Sequence, residues 1–376
     1  MDLNNAFIQK AAEALEKSGF RISQTQFTIG FDGFVDEILH AVDTRSSKKD
    51  WTRVPTLIEF AARISSAAGK SANIEMVPQQ IKAGGNGPLM SMAVTGMGGK
   101  VNCIGLLGYP NVHPVFQSLG EKATLYSVGN PGHTDALEFQ DGKLMLGKLN
   151  TISNMCWEKL QEVIGAARFR GLILDANLVA CTNWTMLTEM ESILDHLIEM
   201  VPAGAAVRFF FDLADPEKRS HEDLKHVLGQ ISKLNARANC VLGLNLREAE
   251  QVSEVLGLKD VPVETVASVE AASARIAKAM GLHGVVVHAI KCAGAFINGE
   301  TAGIEGPYCA NPKLSTGAGD HFNGGFVSGW MGGLSVHDSL YSGVGTSGWY
   351  VRNARSPGHA DVVGFLKNWA VGKLDD

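Results

Sequence analysis

Six short runs of the chain are apolar at consecutive positions and rich in β-branched or aromatic residues: QFTIGF (Gln26–Phe31), KVNCIGLLG (Lys100–Gly108), RGLILDAN (Arg170–Asn177), AVRFFFDLAD (Ala206–Asp215), ANCVLGLN (Ala238–Asn245) and GVVVHAI (Gly284–Ile290). A strand written this way has no wet face, so it belongs inside a mostly parallel sheet with helices on both sides. The segments between supply those helices. Trp184–Met200, His221–Leu234, Arg247–Leu256 and Ser268–Met280 carry apolar residues at helical spacing, and so does the opening MDLNNAFIQKAAEALEK. Strand and helix in alternation predict a three-layer α/β fold around a central, mostly parallel sheet.

Two stretches break the alternation. TDALEFQDGKLMLGKLN (Thr134–Asn150) alternates polar and apolar residues around Asp141–Gly142, a strong hairpin signal. His40–Ile81 is polar and holds one helical segment at Pro55–Ala68. Together they predict a smaller β-rich lid, about residues 37–82 and 132–151, set into a single α/β domain over 1–376.

Hydrophobic residues at 45% and charged residues at 19% leave ample material for a core, and a net charge of −6 comes with no basic block. Nucleic-acid binding needs clustered Lys and Arg, so it is not expected; Lys48–Lys49 reads as a solvated loop. No apolar run approaches the ~20 residues of a membrane span. The N-terminus lacks the order of a signal peptide, and the six cysteines are scattered with no C-x-x-C. A cytoplasmic location is expected.

Familiar motifs fail. GKS at Gly69–Ser71 has Ile64 where a P-loop needs glycine, and a dinucleotide fingerprint starting at Gly317 meets Phe322 at its third glycine. HEDLKH (His221–His226) spaces its histidines wrongly for a zinc helix. What survives is LSTGAGDHFNGGF (Leu314–Phe326). Small residues at Gly317, Ala318 and Gly319, followed by a helix, expose backbone N–H groups at the positive end of the helix dipole, which suits an anion. Asp320 then falls in the first turn, where it either complements the dipole or accepts a proton from an attacking hydroxyl. Asn245 and Glu248 follow an apolar strand, where they either cap the next helix or face a ligand at the sheet's C-terminal edge. Asp32, Asp36 and the run Gly84–Gly85–Asn86 raise the same pair of readings.

In these motifs and their order, the chain resembles the ribokinase (PfkB) family of carbohydrate and nucleoside kinases over nearly its whole length. The resemblance implies transfer of the γ-phosphoryl of ATP to a hydroxyl of a sugar or sugar derivative. Gly317, Ala318 and Gly319 would form the anion hole, and Asp320 would be the general base. NLRE would place Asn245 and Glu248 near Mg²⁺ and the phosphates, through water. Asp36, with Asp32, Gly84, Gly85 and Asn86, would face the acceptor. Four departures stand out. Leu314 replaces the usual Asp, which removes support for a monovalent-cation site. Leu89 replaces a sugar-binding Asn. HAIKCAG puts His288, Ile290 and Ala293 where the nucleotide segment has Thr and two glycines, leaving His288, Lys291 and Gly294 as its candidate contacts. The His40–Ile81 segment is long, and ADP-dependent sugar kinases of the same superfold also have larger lids. A nucleoside kinase, with Trp51 or Phe34 as base clamp, an ADP-dependent kinase, and a non-catalytic sugar sensor are the rival readings. A homodimer paired through the lid is a further expectation.

Overall fold

The computed structural model describes residues 3–374. Its strands run in chain order as follows. β1 (Gln26–Gly30) precedes β2 (Phe34–Arg45), β3 (Trp51–Arg53) and β4 (Met76–Gly84); β5 (Lys100–Gly105) and β6 (Thr124–Ser127) come next, then β7 (Gly132–Glu138) and β8 (Lys143–Lys148). The last six are β9 (Leu178–Thr182), β10 (Arg208–Asp212), β11 (Cys240–Asn245), β12 (Gly284–His288), β13 (Cys292–Ile297) and β14 (Glu300–Glu305). Nine of them form one sheet in the order β14-β13-β12-β11-β10-β9-β1-β5-β6, and β2, β3, β4, β7 and β8 form a second.

The large sheet is parallel from β6 to β12, and β13 alone runs the other way, pairing antiparallel with β12 and with β14. Its two-sided burial is visible residue by residue. Phe209 and Phe211 enter the core on one face and Phe210 the core on the other, and Val285, Val286 and Val287 divide the same way. The opening helix is Leu3–Gln24, with Ile8, Ala11, Ala12, Leu15 and Ile22 fully buried on one stripe.

Two expectations are corrected. Arg170–Asn177 is not a strand: Ala166–Leu174 is a helix, and β9 starts only at Leu178. The apolar run misleads because the buried residues of that helix, Phe169 and Ile173, are four apart and share a helical face, whereas all five residues of β9 are buried. The predicted helix Trp184–Met200 begins at Met190. Asn183 has φ 59°, so the chain is turning there.

In the smaller sheet β2 pairs with β4 and β3 antiparallel and with β7 parallel, and β7–β8 is the expected hairpin. Leu39, Ala41, Leu137 and Phe139 form a small core with Phe60 of the helix Leu57–Ser66. Alternation along β2 and β7 sends Asp36 and Thr134 to the opposite face, over the C-terminal edge of the large sheet. Among the described residues no helix is long and apolar enough to cross a membrane.

Candidate active site

The parallel strands deliver their last residues to one edge, and the polar ones gather there. A cleft of about 570 Å³ is lined by Asp36 and Phe34 of the smaller sheet, Gly85 and Asn86, Asp212 at the end of β10, Asn245 and Glu248 beyond β11, His288 ending β12, and Gly317, Gly319 and Asp320.

Asp320 enters through the helix Ala318–Met331, whose N-cap is Gly317 with φ 88°. That left-handed conformation favours glycine, and a β-carbon there would also come within 2.9 Å of Leu89. The Ala318 amide donates to the Ser315 carbonyl (3.1 Å), while those of Gly317 and Gly319 have no protein acceptor among the described residues. Asp320 itself is buried, and its Oδ1 accepts from Asn86 Nδ2 at 2.9 Å. Burial first, then the negative charges of Asp212 and Asp32, push its carboxyl well above the usual range.

Asp32 does not line the cleft. It is fully buried and accepts from the Asn86 amide (2.8 Å), the Gly87 amide (2.7 Å) and Asn183 Nδ2 (2.7 Å). One carboxylate thus caps the helix Asn86–Gly96, fixes Asn86 against Asp320, and ties β1's exit to β9's. Its expected contact with the acceptor is corrected to a positioning role. Asp36 does face the cleft, beside Lys82 and Thr134, its register partners on β4 and β7. Burial raises its carboxyl, an effect that Lys82 opposes. Gly84, the partner of Phe34, ends β4 against the Asp36 carboxylate.

Asn245 and Glu248 form a complete capping box: Asn245 Oδ1 accepts from the Glu248 amide (2.9 Å), and Glu248 Oε2 accepts from the Asn245 amide (2.8 Å). Glu248 Oε1 accepts from the Asp215 amide (2.9 Å). The capping reading is therefore correct, and both residues still line the cleft. One acid the sequence reading passed over belongs with them. Asp212 accepts from Asn323 Nδ2 (2.7 Å) and the Ala214 amide (2.9 Å). Burial and then Glu248 push it well up. Its signal was available: like Asn245 it ends a fully apolar strand at the ligand edge.

Asp212, Glu248 and Asp320 are buried, yet none has a Lys or Arg partner among the described residues. Buried carboxylates without a counter-charge are costly, and hard oxygen donors of this kind suit Mg²⁺, which keeps several waters. The donor set therefore fits a divalent cation.

A second pocket, about 660 Å³, adjoins the cleft, and His288, Asn245 and Gly319 line both. Its other walls include Ala289, Ile290, Tyr308, Ala310, Ala318, Phe322 and Val351. His288 is tilted against Phe322 with ring centroids 4.7 Å apart, and burial lowers its imidazole to about 4, so it is neutral. The two remaining nucleotide candidates are not among its lining residues. Gly294 is inside β13, where a β-carbon would collide with the Glu270 backbone, so the glycine permits close helix packing. Lys291 is exposed and places its ammonium 5.1 Å from the Tyr308 ring centre. Trp51 packs on His40 outside the cleft, whereas Phe34 lines it.

A family model described as prokaryotic ketohexokinase matches residues 4–369. The chain is 27% identical over 375 residues to a ketohexokinase from Haloferax volcanii, covering 98% of this chain and 96% of that one. Among solved structures it is similar to ribokinase from Arabidopsis thaliana complexed with ribose and ATP, with TM-score 0.64, 18% identity, and coverage of 91% of this chain and 98% of that one. It is also similar to ribokinase from Cryptococcus neoformans var. grubii in complex with ADP, with TM-score 0.63, 16% identity, and coverage of 90% and 98%. A ribokinase-like fold, an acid behind a glycine-capped helix start, and a family match over almost every residue lead to one conclusion: the chain belongs to the prokaryotic ketohexokinase family and is a carbohydrate kinase.

Proposed function

We propose that the protein phosphorylates a hydroxyl of a ketohexose with ATP, the acceptor in the cleft under the smaller sheet and the nucleotide in the adjoining apolar pocket. The observation that carries this is the placement of Asp320. It lines the cleft directly beside Gly319, which lines both pockets, in the first turn of a helix whose Gly317 and Gly319 amides lack protein acceptors among the described residues.

Asp320 accepts the proton of the attacking hydroxyl, and Asn86 holds the carboxylate at the angle to do so. The amides of the Gly317–Gly319 turn stabilise charge on the transferring phosphoryl, the usual electrostatic core of such a reaction. Mg²⁺ supplies charge neutralisation on the phosphates; Asp212, Glu248 and Asn245 would hold it, largely through water. Asp36 and Asn86 orient the acceptor, and Asp32 orients Asn86. His288 and the pocket walls, rather than Lys291 or Gly294, bound the nucleotide. Residues 37–82 and 132–151 act as a lid that excludes water from the transfer. The apolar residues Met145 and Leu146 are 46% and 45% exposed on β8, an edge strand, which suits pairing with a second copy. Six unpaired cysteines suit a reducing cytoplasm.

A panel of ketohexoses, aldohexoses, pentoses and nucleosides crossed with ATP and ADP tests the reading. Ketohexose-dependent turnover of ATP is expected. Sugar binding without any phosphoryl transfer would favour a sensor, and turnover confined to nucleosides or to ADP would favour those rivals.

A further inference from the structure

The turn that would meet the phosphoryl is largely exposed from Asn311 to Thr316, so something behind it must fix its geometry. Two buried aromatic rings are in place to do this. Tyr350 donates its hydroxyl to the Thr316 carbonyl at 2.8 Å. His321 meets the Gly317 carbonyl through Nδ1 at 2.7 Å and Ser356 Oγ through Nε2 at 2.8 Å. The rings are stacked, with centroids 3.6 Å apart and planes at 16°.

A carbonyl only accepts, so Nδ1 carries the proton and Nε2 accepts from the Ser356 hydroxyl. Burial, which lowers the imidazole to about 4, keeps that single tautomer at neutral pH. The peptide group is planar and trans, so fixing a carbonyl oxygen fixes the N–H on the other side of the same plane. Tyr350 thereby aims the Gly317 amide, and His321 sets the plane of the Gly317–Ala318 peptide that leads to Gly319. Asp320 lies between Gly319 and His321 in sequence, yet His321 shares no hydrogen bond with it.

We infer that His321, stacked on Tyr350 and relayed to Ser356, is a positioning residue that holds the anion-binding turn ready for the phosphoryl. This rests on the kinase reading above. His321 lines neither pocket and reaches the cleft only through the Gly317 carbonyl, so its effect is expected on the transition state rather than on ground-state binding of either substrate.

Two variants and two readouts test it. His321→Phe keeps a stackable ring and removes both side-chain hydrogen bonds, leaving the backbone amide of residue 321 on the Gly317 carbonyl (3.1 Å); His321→Asn keeps a donor near the Nδ1 position. In steady-state kinetics with the sugar that the wild type turns over, H321F should lose at least about 10-fold in kcat, short of the roughly 10²–10³ expected for deleting an anion-hole donor outright. KM for sugar and for ATP should stay within about 3-fold, and H321N should recover most of the loss. In hydrogen–deuterium exchange on the ligand-free chain, the segment 313–321 should exchange faster in H321F and near the wild-type rate in H321N. The inference is overturned if folded H321F keeps wild-type kcat and exchange, or if both variants lose kcat and raise both KM values equally. If the wild type phosphorylates no sugar, the functional reading fails, and the exchange experiment still decides whether His321 holds the turn.

Discussion

The two pockets that meet at Gly319 are built on different chemistry. The cleft proposed for the acceptor is a wall of acids and amides, Asp36, Asn86, Asp212, Asn245, Glu248 and Asp320, each held by a specific partner or neighbour. The adjoining pocket is bounded mainly by small and apolar residues, Ala289, Ala310, Pro312, Val344, Gly348 and Val351. One side works through functional groups, the other through shape. A functional group cannot be exchanged without losing its chemistry, whereas a surface of the right shape can be assembled from many side chains. On the proposed function, that difference would account for a chain with G-A-G-D and N-x-x-E but with HAIKCAG in the segment proposed to face the nucleotide.

The contrast can be broken most forcefully at Asp320. Asp320→Asn should lower kcat by roughly 10²–10⁴, the general range for a lost base. It should also raise thermal stability at neutral pH. The folded-state carboxyl is raised, so its ionised form opposes folding as pH climbs past the unfolded value, and the neutral amide removes that cost. For the same reason the acid limb of the wild-type rate profile should lie above the ordinary carboxylate range, with rate lost as pH falls through it. A variant with near-wild-type turnover would end the proposed role. Asp212→Asn comes next. A loss of roughly 10–100-fold, with the Mg²⁺ titration midpoint moving up, is the scale for residues that tune a metal; an unchanged midpoint would separate Asp212 from the cation.

Asp36→Asn should raise KM for the sugar about 10-fold, equivalent to roughly 1.4 kcal/mol, and leave KM for ATP alone. Parallel changes in both would blur the division between the pockets. The smallest effect is expected on the shaped side. Ala289→Trp should narrow that pocket and raise KM for ATP by about 3–10-fold, within the energy of a few misfitted methylenes. If it disturbed the sugar instead, the two pockets would have been assigned the wrong way round.

The large sheet was legible because two-sided burial writes itself as unbroken apolar runs, and the hairpin at Asp141–Gly142 because its turn residues leave few options. The helix Ala166–Leu174 was not, since a short buried helix and a short buried strand share the same local composition. G-A-G-D and N-x-x-E, which the structure brings to one cleft, could be picked out because motif and spacing coincide. Asp32 was assigned to the acceptor because its sequence neighbourhood cannot reveal three donors arriving from residues 86, 87 and 183. Asp212 could have been picked out as the polar end of an apolar strand and was passed over; what the sequence does not show is its partner Asn323, 111 positions away. Gly294 was misplaced because a glycine that admits a helix and one that admits a phosphate are the same letter.

The bond from Asn86 to Asp320 spans 234 positions of the chain. During synthesis, the early strands, the smaller sheet and the glycine pair all emerge before Asp320, the proposed base. A nascent chain that has produced most of its sheet is therefore chemically silent, and turnover reports that the late helix has docked. Substrates that bridge the two halves also act as staples. At saturation they should rescue destabilising substitutions far from the cleft by RT ln(1 + [L]/Kd), so cells rich in the sugar would tolerate a wider range of variants of this enzyme than cells without it.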